Sequence, residues 1–269
     1  MLPQIHKSNT ILKMNNKQNL DIFKLFEVFA FWQNYTQPTE FYCEGWLLRL
    51  LILSISDYGL KNHELYIKDN YNYFSEPLLY SPFLARSGGN KLLAERFTHA
   101  DSAIGEFVVG DKNKGSLSFT GNDLKIFEAK IYSKFSSKVT NSLFYNQVAR
   151  YIACITETIL RADKINILDD LQIGFYLVLP KDQFSKTSTF KQFLNKEHIR
   201  KTVEKRIEQY RSETCYIERK KWFNNEFNMV LEKIEIKPIF YEDIIVDLAG
   251  YKFYNEISNY YELCLKYNK

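Results

Sequence analysis

The stretch Leu124-Lys125-Ile126-Phe127-Glu128-Ala129-Lys130-Ile131 constrains this chain more than any other. Its apolar pattern is that of a strand. Side chains alternate across a strand, so Glu128 and Lys130 share one face while Phe127, Ala129 and Ile131 take the other. A carboxylate and an ammonium on one face of a buried-looking strand need a cause. Either this is an edge strand whose solvent face carries a cross-strand ion pair, or the strand carries chemistry. The surrounding sequence bears on the choice.

With 45% hydrophobic and 16% aromatic residues in 269, the chain can bury one large core, or one core with an added subdomain. Tyr (19) and Phe (21) carry much of that volume, and Tyr adds a polar tip for hydrogen bonding or base stacking. A net charge of +4 permits a local basic groove without demanding nucleic acid. Cysteines at 43, 154, 215 and 264 show no CxxC spacing and the four histidines are scattered, which excludes a zinc-ligand cluster. Cys43 and Cys154 lie in apolar helical patterns and read as reduced core residues. Met1 to Gln18 is polar and lacks the apolar segment of a signal peptide or membrane anchor. The longest apolar runs, Val28–Trp32 and Phe175–Leu179, are too short to cross a bilayer. The cytoplasm is the expected location, with no membrane partner.

Residues 1–20 read as a flexible arm. Asp21 caps a first helix faced by Ile22, Phe23, Leu25, Phe26, Phe29 and Ala30. Thr39 is the expected N-cap of a second, Glu40 to Ser56, ending near Gly59, with Leu47, Leu48, Leu51 and Ile55 as its stripe. Glu44 shares that stripe. It is either a partly exposed first-turn carboxylate favoured by the helix dipole, or a carboxylate aimed at the sheet. Lys61 to Ser87 is irregular and Tyr-rich, and Ser87-Gly88-Gly89-Asn90 is a turn. Leu92–Phe97, Ile104–Val109, Leu117–Phe119 and 124–131 read as strands, with turns at Asp111–Gly115 and Gly121–Asp123, giving an antiparallel meander. Leu143–Leu160 is a helix whose face is Leu143, Val148, Ile152, Ile155, Thr156 and Ile159. Leu171–Leu179 is a strand buried on both faces. Beyond Pro180 the pattern is mostly helical (Glu197–Arg211, Arg219–Leu231, Phe253–Tyr267), with a short strand at Ile234–Phe240. The expected layout is therefore an arm at 1–20, an α/β core at 21–180, and a helical C-terminal extension at 181–269 packed on the same domain.

Hydrolysis of a phosphodiester needs an activated water and neutralisation of the phosphate, and a hard cation held by a few carboxylate oxygens supplies both. Asp101 and Glu128, each at a strand, are the candidate pair. The Ala129 carbonyl is a candidate third ligand. Lys130, on the face of Glu128, would orient the nucleophile or offset transition-state charge. Gln147 and Tyr151 are four apart and share a helix face, with Arg150 adjacent, so amide, phenol and guanidinium form a candidate clamp for a phosphate backbone. Lys125, Lys134 and Lys138 flank the site, either as a positive rim for phosphates or, more usually, as a solvated basic loop. Arg200, Lys201, Lys205, Arg206, Arg219, Lys220 and Lys221 could extend that surface, diluted by Glu197, Glu204, Glu208 and Glu218. Glu95 and His99 lie just before Asp101.

Asp101, then Glu128-Ala129-Lys130, then Gln147-xxx-Tyr151, resembles the PD-(D/E)XK nuclease superfamily, and the Gln-xxx-Tyr element is similar to that of its RecB-type branch. The resemblance covers about Thr39 to Pro180. It implies a restriction-endonuclease-like α-β-β-β-α-β core with a mixed sheet flanked by helices. It further implies Mg²⁺ or Mn²⁺ at Asp101 and Glu128, a catalytic Lys130, and Gln147 and Tyr151 organising the site against nucleic acid, with DNA the expected substrate in defence or repair. Glu44 matches an acidic residue that some branches add to the metal shell. Ala100 stands where the superfamily's Pro would be. No cysteine set matches the iron–sulfur cluster of some RecB-type members, so no cluster is expected. Cleavage of both strands would favour a homodimer. The rival expectation is a catalytically silent member of the fold that binds nucleic acid or protein.

Overall fold

A computed structural model describes residues 37–84, 92–110, 115–133, 142 and 144–269. The expected N-terminal arm, the helix capped by Asp21, the turn at Ser87–Asn90, and Lys134, Lys138 and Leu143 lie outside them.

The strand centred on Glu128 is longer than its apolar pattern suggests. Ser116–Ala129 forms one strand, β5, and Ser102–Gly110, β4, runs antiparallel to it. Gly121-Asn122-Asp123 is not the expected turn. Gly105 pairs with Leu124 and Phe107 with Phe119, so residues 120–123 bulge opposite Glu106 alone. The Glu106 carboxylate holds the bulge by accepting from the amides of Asn122 (2.7 Å) and Asp123 (3.3 Å). A bulge of this kind twists and re-aims the strand without ending it. Gly105 stands at its edge with φ +148°, where an added Cβ would meet the Asp123 carbonyl oxygen at 2.2 Å.

Asn72–Ser75, β1, pairs antiparallel with β4 on the side away from β5. The irregular Tyr-rich pattern before it gave no sign of this strand. Leu92–Phe97 is not a strand. Leu92 is exposed and Glu95 buried, the reverse of an apolar-in pattern, and only a bridge between Leu84 and Glu95 forms there. Two short strands, Leu78–Leu79 (β2) and Thr98–His99 (β3), pair with each other, and β2 touches the start of β5. On the other side of β5 the sheet continues in parallel through Gln172–Leu179 (β6) and Glu235–Phe240 (β7). The protein is thus a mixed α/β structure with a mixed sheet flanked by helices, ordered β1-β4-β5-β6-β7 through its centre.

Each face of the sheet has its own core. Glu44–Tyr58 (α1) is buried on most sides and ends at Gly59 in the left-handed region. It begins later than expected: Thr39 falls in a separate single turn, Pro38–Phe41, and Glu44 is the first residue of α1. It packs with Phe127, Ala129, Tyr176 and Val178, and with Tyr241–Asp247 and Tyr254–Asn268 near the C-terminus. The opposite face holds Leu124, Ile126, Phe175 and Leu177 against Gln147–Arg161, which is α2. Lys196–Glu208 and the segment from Tyr216 to Lys233 cover α2 in turn. Among the described residues, no helix is long and apolar enough to cross a membrane.

Candidate functional site

Alternation along β5 does what the sequence pattern requires: Phe127, Ala129 and Ile131 enter the α1 core, while Glu128 turns toward α2. Helix α2 starts where it does because Asn146 caps it, its side chain accepting from the Ala149 amide at 2.9 Å. The helix begins at Gln147, not Leu143, because Phe144 to Asn146 remain extended or turned. Gln147 and Tyr151 therefore lie one turn apart and both reach Glu128. The Gln147 amide donates to Oε1 at 2.5 Å, and Lys130 donates to the same oxygen. The Tyr151 hydroxyl meets Oε2 and also lies 2.7 Å from the His99 carbonyl.

Glu128 is only 2% exposed, and its neighbours set its protonation. Burial, then repulsion from Asp101, push its pKa up to about 7, against the opposing pull of Lys130. Burial likewise raises Asp101, although the Ala129 amide donates to its Oδ2 at 2.6 Å. Burial opposes the charge of Lys130, but the carboxylates, Glu128 foremost, hold its pKa above the usual value. Burial also pushes the Tyr151 phenol far up, so it remains protonated. One phenolic hydrogen cannot satisfy both His99 and Glu128. When Glu128 is protonated it donates to Tyr151 and the phenol donates to His99. When Glu128 is ionised the phenol turns to the carboxylate.

Asp101 and Glu128 face each other because Ser102 pairs with Phe127, and the same antiparallel register carried one step further sets 101 opposite 128. Glu44 approaches from α1: it accepts from Ser133 Oγ at 3.1 Å and its charge acts on Lys130. The chain beyond Lys130 is pinned by Gln183, which accepts from the Tyr132 amide (2.9 Å) and donates to the Ser133 carbonyl (3.0 Å). Nothing in the sequence singled out Gln183 or Ser133. Asn146, by contrast, is a readable N-cap just before the helical period.

Two opposed carboxylates, both raised by burial and Glu128 further by the charge of Asp101, form a donor set that suits a hard cation. Mg²⁺ commonly takes one or two carboxylates and completes its shell with water. Among the described residues no group of three or more His, Cys, Asp or Glu side chains is placed to hold a metal, so the fit rests on this pair, with Glu44 acting on the same Lys130. In the arrangement described, the Lys130 ammonium supplies the positive charge at Glu128.

Other candidates go elsewhere. Arg150 does not join Gln147 and Tyr151. It donates to Glu95 Oε2 (3.1 Å) and to the Arg96 carbonyl (2.9 Å). Glu95 is buried and also accepts from Ser81 (2.8 Å) and Arg206 (3.3 Å), so it is a structural anion and not a member of the carboxylate pair. Arg206 and Arg219 are no part of a basic surface. Both are buried and stack on Phe83 and Tyr210. Arg200 pairs with Glu197 and Glu232. Lys125 faces away from Glu128, on the α1 side of the sheet, beside Tyr176. The His99 backbone, rather than its ring, meets Tyr151. Compared with family models, with curated proteins and with solved structures, the chain matches none.

Proposed function

We propose that this chain is a Mg²⁺- or Mn²⁺-dependent nuclease of the PD-(D/E)XK kind, cutting DNA, with its core built in the restriction-endonuclease-like manner. The observation that carries the proposal is the convergence of Lys130, Gln147 and Tyr151 on the one carboxylate of Glu128, with Asp101 opposite in register. A structural ion pair would need Lys130 alone. The order of one helix, the antiparallel set β1, β4 and β5, then α2 and a parallel β6 is also what such a core requires, with β2 and β3 inserted.

A bound divalent cation supplies charge neutralisation at the scissile phosphate and an activated water. Asp101 and Glu128 would hold it, with the Ala129 carbonyl and Glu44 as further donors. Gln147 and Tyr151 keep the Glu128 carboxylate oriented, and Tyr151 accepts a hydrogen bond from Glu128 when that carboxyl is protonated. The Lys130 ammonium, once released from Glu128, offsets negative charge developing on the phosphate oxygens. Purified protein should cut linear, circular or single-stranded DNA when Mg²⁺ or Mn²⁺ is added, and Lys130→Ala should abolish cutting while leaving the far-UV spectrum intact. Equal cutting by that variant would remove the mechanism.

A second reading is favoured by one fact: both oxygens of Glu128 are already engaged within the protein. On that reading the chain is a catalytically silent relative that binds nucleic acid or protein. DNA binding that is unaffected by chelator, without cutting of any substrate in the panel, would select it.

A further inference from the structure

A cleft of about 590 Å³ opens on the α1 side of the sheet, at the bulge end of β5. It is distinct from the Glu128 site: Lys125 and Glu128 are three residues apart on β5, about 10 Å along the strand, and point to opposite faces. Lys68, Lys125, Lys233 and Lys237 line it, together with Glu64, Asp123 and Glu235.

The carboxylates are already committed. Glu64 takes Lys237 at 2.5 Å. Glu235 takes Lys237 at 3.0 Å and the Tyr176 phenol at 2.5 Å. Asp123 takes the Tyr71 phenol and, at 3.4 Å, Lys68. Lys125 is left over. Its ammonium donates to the Glu64 carbonyl at 3.2 Å, and among the described residues it has no carboxylate within ion-pair distance. Burial holds its pKa below the usual lysine value and Lys68 adds to the depression, against the charges of Glu64 foremost and then Asp123 and Glu235. A half-buried ammonium without a direct ion-pair partner gains more from an anion than a surface lysine does.

The floor of the cleft is shaped for access to this group. Lys125 pairs in register with Gly174, which offers no side chain beside it. A Cβ at 174 would meet the Tyr176 ring at 2.4 Å, so the glycine lets that ring lie back along β6, carrying its phenol to Glu235 and leaving the Lys125 ammonium facing the cleft. The volume falls in the range of pockets that enclose small ligands.

We infer that this cleft binds a phosphate-bearing small molecule, with the Lys125 ammonium as its principal ligand and Lys68 at the rim. The ligand chemistry is a phosphate dianion, free or carried as a monoester. The test is calorimetric titration of the full chain with inorganic phosphate and, in a second arm, adenosine monophosphate. It is paired with NMR of the protein carrying ¹³C-methylated lysines, which localises the event. Either probe should raise the pKa of Lys125 toward the ordinary lysine value. Lys125→Met should weaken binding by about tenfold or more, as expected for loss of a charge-assisted hydrogen bond, and Lys125→Arg should restore part of it. Tighter binding of the monophosphate would identify a monoester ligand, and equal binding a free phosphate. Binding of neither probe by the wild type, or saturation without movement of the Lys125 resonances, would overturn the inference even if Lys125→Met fails to fold.

Discussion

Glu128 shows how far a single residue can be read from pattern. Its face was legible from the two-residue period of β5, and the shared helix face of Gln147 and Tyr151 from their four-residue spacing on α2. Their convergence on one carboxylate required the register between β5 and α2, which no local pattern encodes. Tyr151→Phe removes the hydroxyl that joins Glu128 to His99 and should lower the cutting rate about tenfold or more while α2 stays folded, as single-turnover kinetics would measure. The pH dependence of stability has a definite sign. The folded pKa of Glu128, about 7, lies above its ordinary value of 4.5, so the folded state holds the proton more tightly. Wild-type stability is therefore lost as pH rises from about 4.5 through 7 and then levels off. Glu128→Gln lacks this titration, so the wild-type advantage over it should shrink across that window and stay constant above it in urea titrations.

At the scale of elements, turn residues were the least reliable guide. Gly121-Asn122-Asp123 has turn chemistry, yet β5 runs through it, because the distant Glu106 carboxylate accepts from the bulge amides and spares the strand from reversing. Gly105→Ala places a methyl group against the Asp123 carbonyl at a positive φ and should destabilise the fold by about 2 kcal/mol in denaturant titration. Strand β1 was illegible because its Tyr and Asn carry no alternation, whereas β6, nearly all apolar, was plain. The charged helices after Pro180 misled in another way. Arg206 looks like surface, but it is fully buried and ties Lys196–Glu208 to Glu95, the Leu93 carbonyl and Tyr210. Arg206→Ala should cost about 3 kcal/mol, since it strips a partner from the buried Glu95 carboxylate.

Across the whole molecule, the C-terminal third supplies buried residues to both cores. β7 closes the parallel side of the sheet, and the helices at Tyr241–Asp247 and Tyr254–Asn268 fill the layer against α1. A chain ending at Pro180 would expose both layers and should show no cooperative unfolding transition. A sharp transition would contradict this division of the core. That dependence was hidden in the sequence because amphipathic periods show that a helix has a buried face but not which face of which sheet receives it. The site draws on the same assembly: the lead-in to β4 brings Asp101, the end of β5 brings Glu128 with Lys130 just past it, and α2 brings Gln147 and Tyr151. The proposed function requires Asp101 and Glu128 to share one cation. Calorimetric titration with Mn²⁺ at pH 8, where Glu128 is mostly ionised, measures this directly. One saturable site in the wild type, lost in both Asp101→Asn and Glu128→Gln, is the predicted result. The absence of any Mn²⁺ heat in the wild type, or binding by either variant equal to that of the wild type, would contradict it.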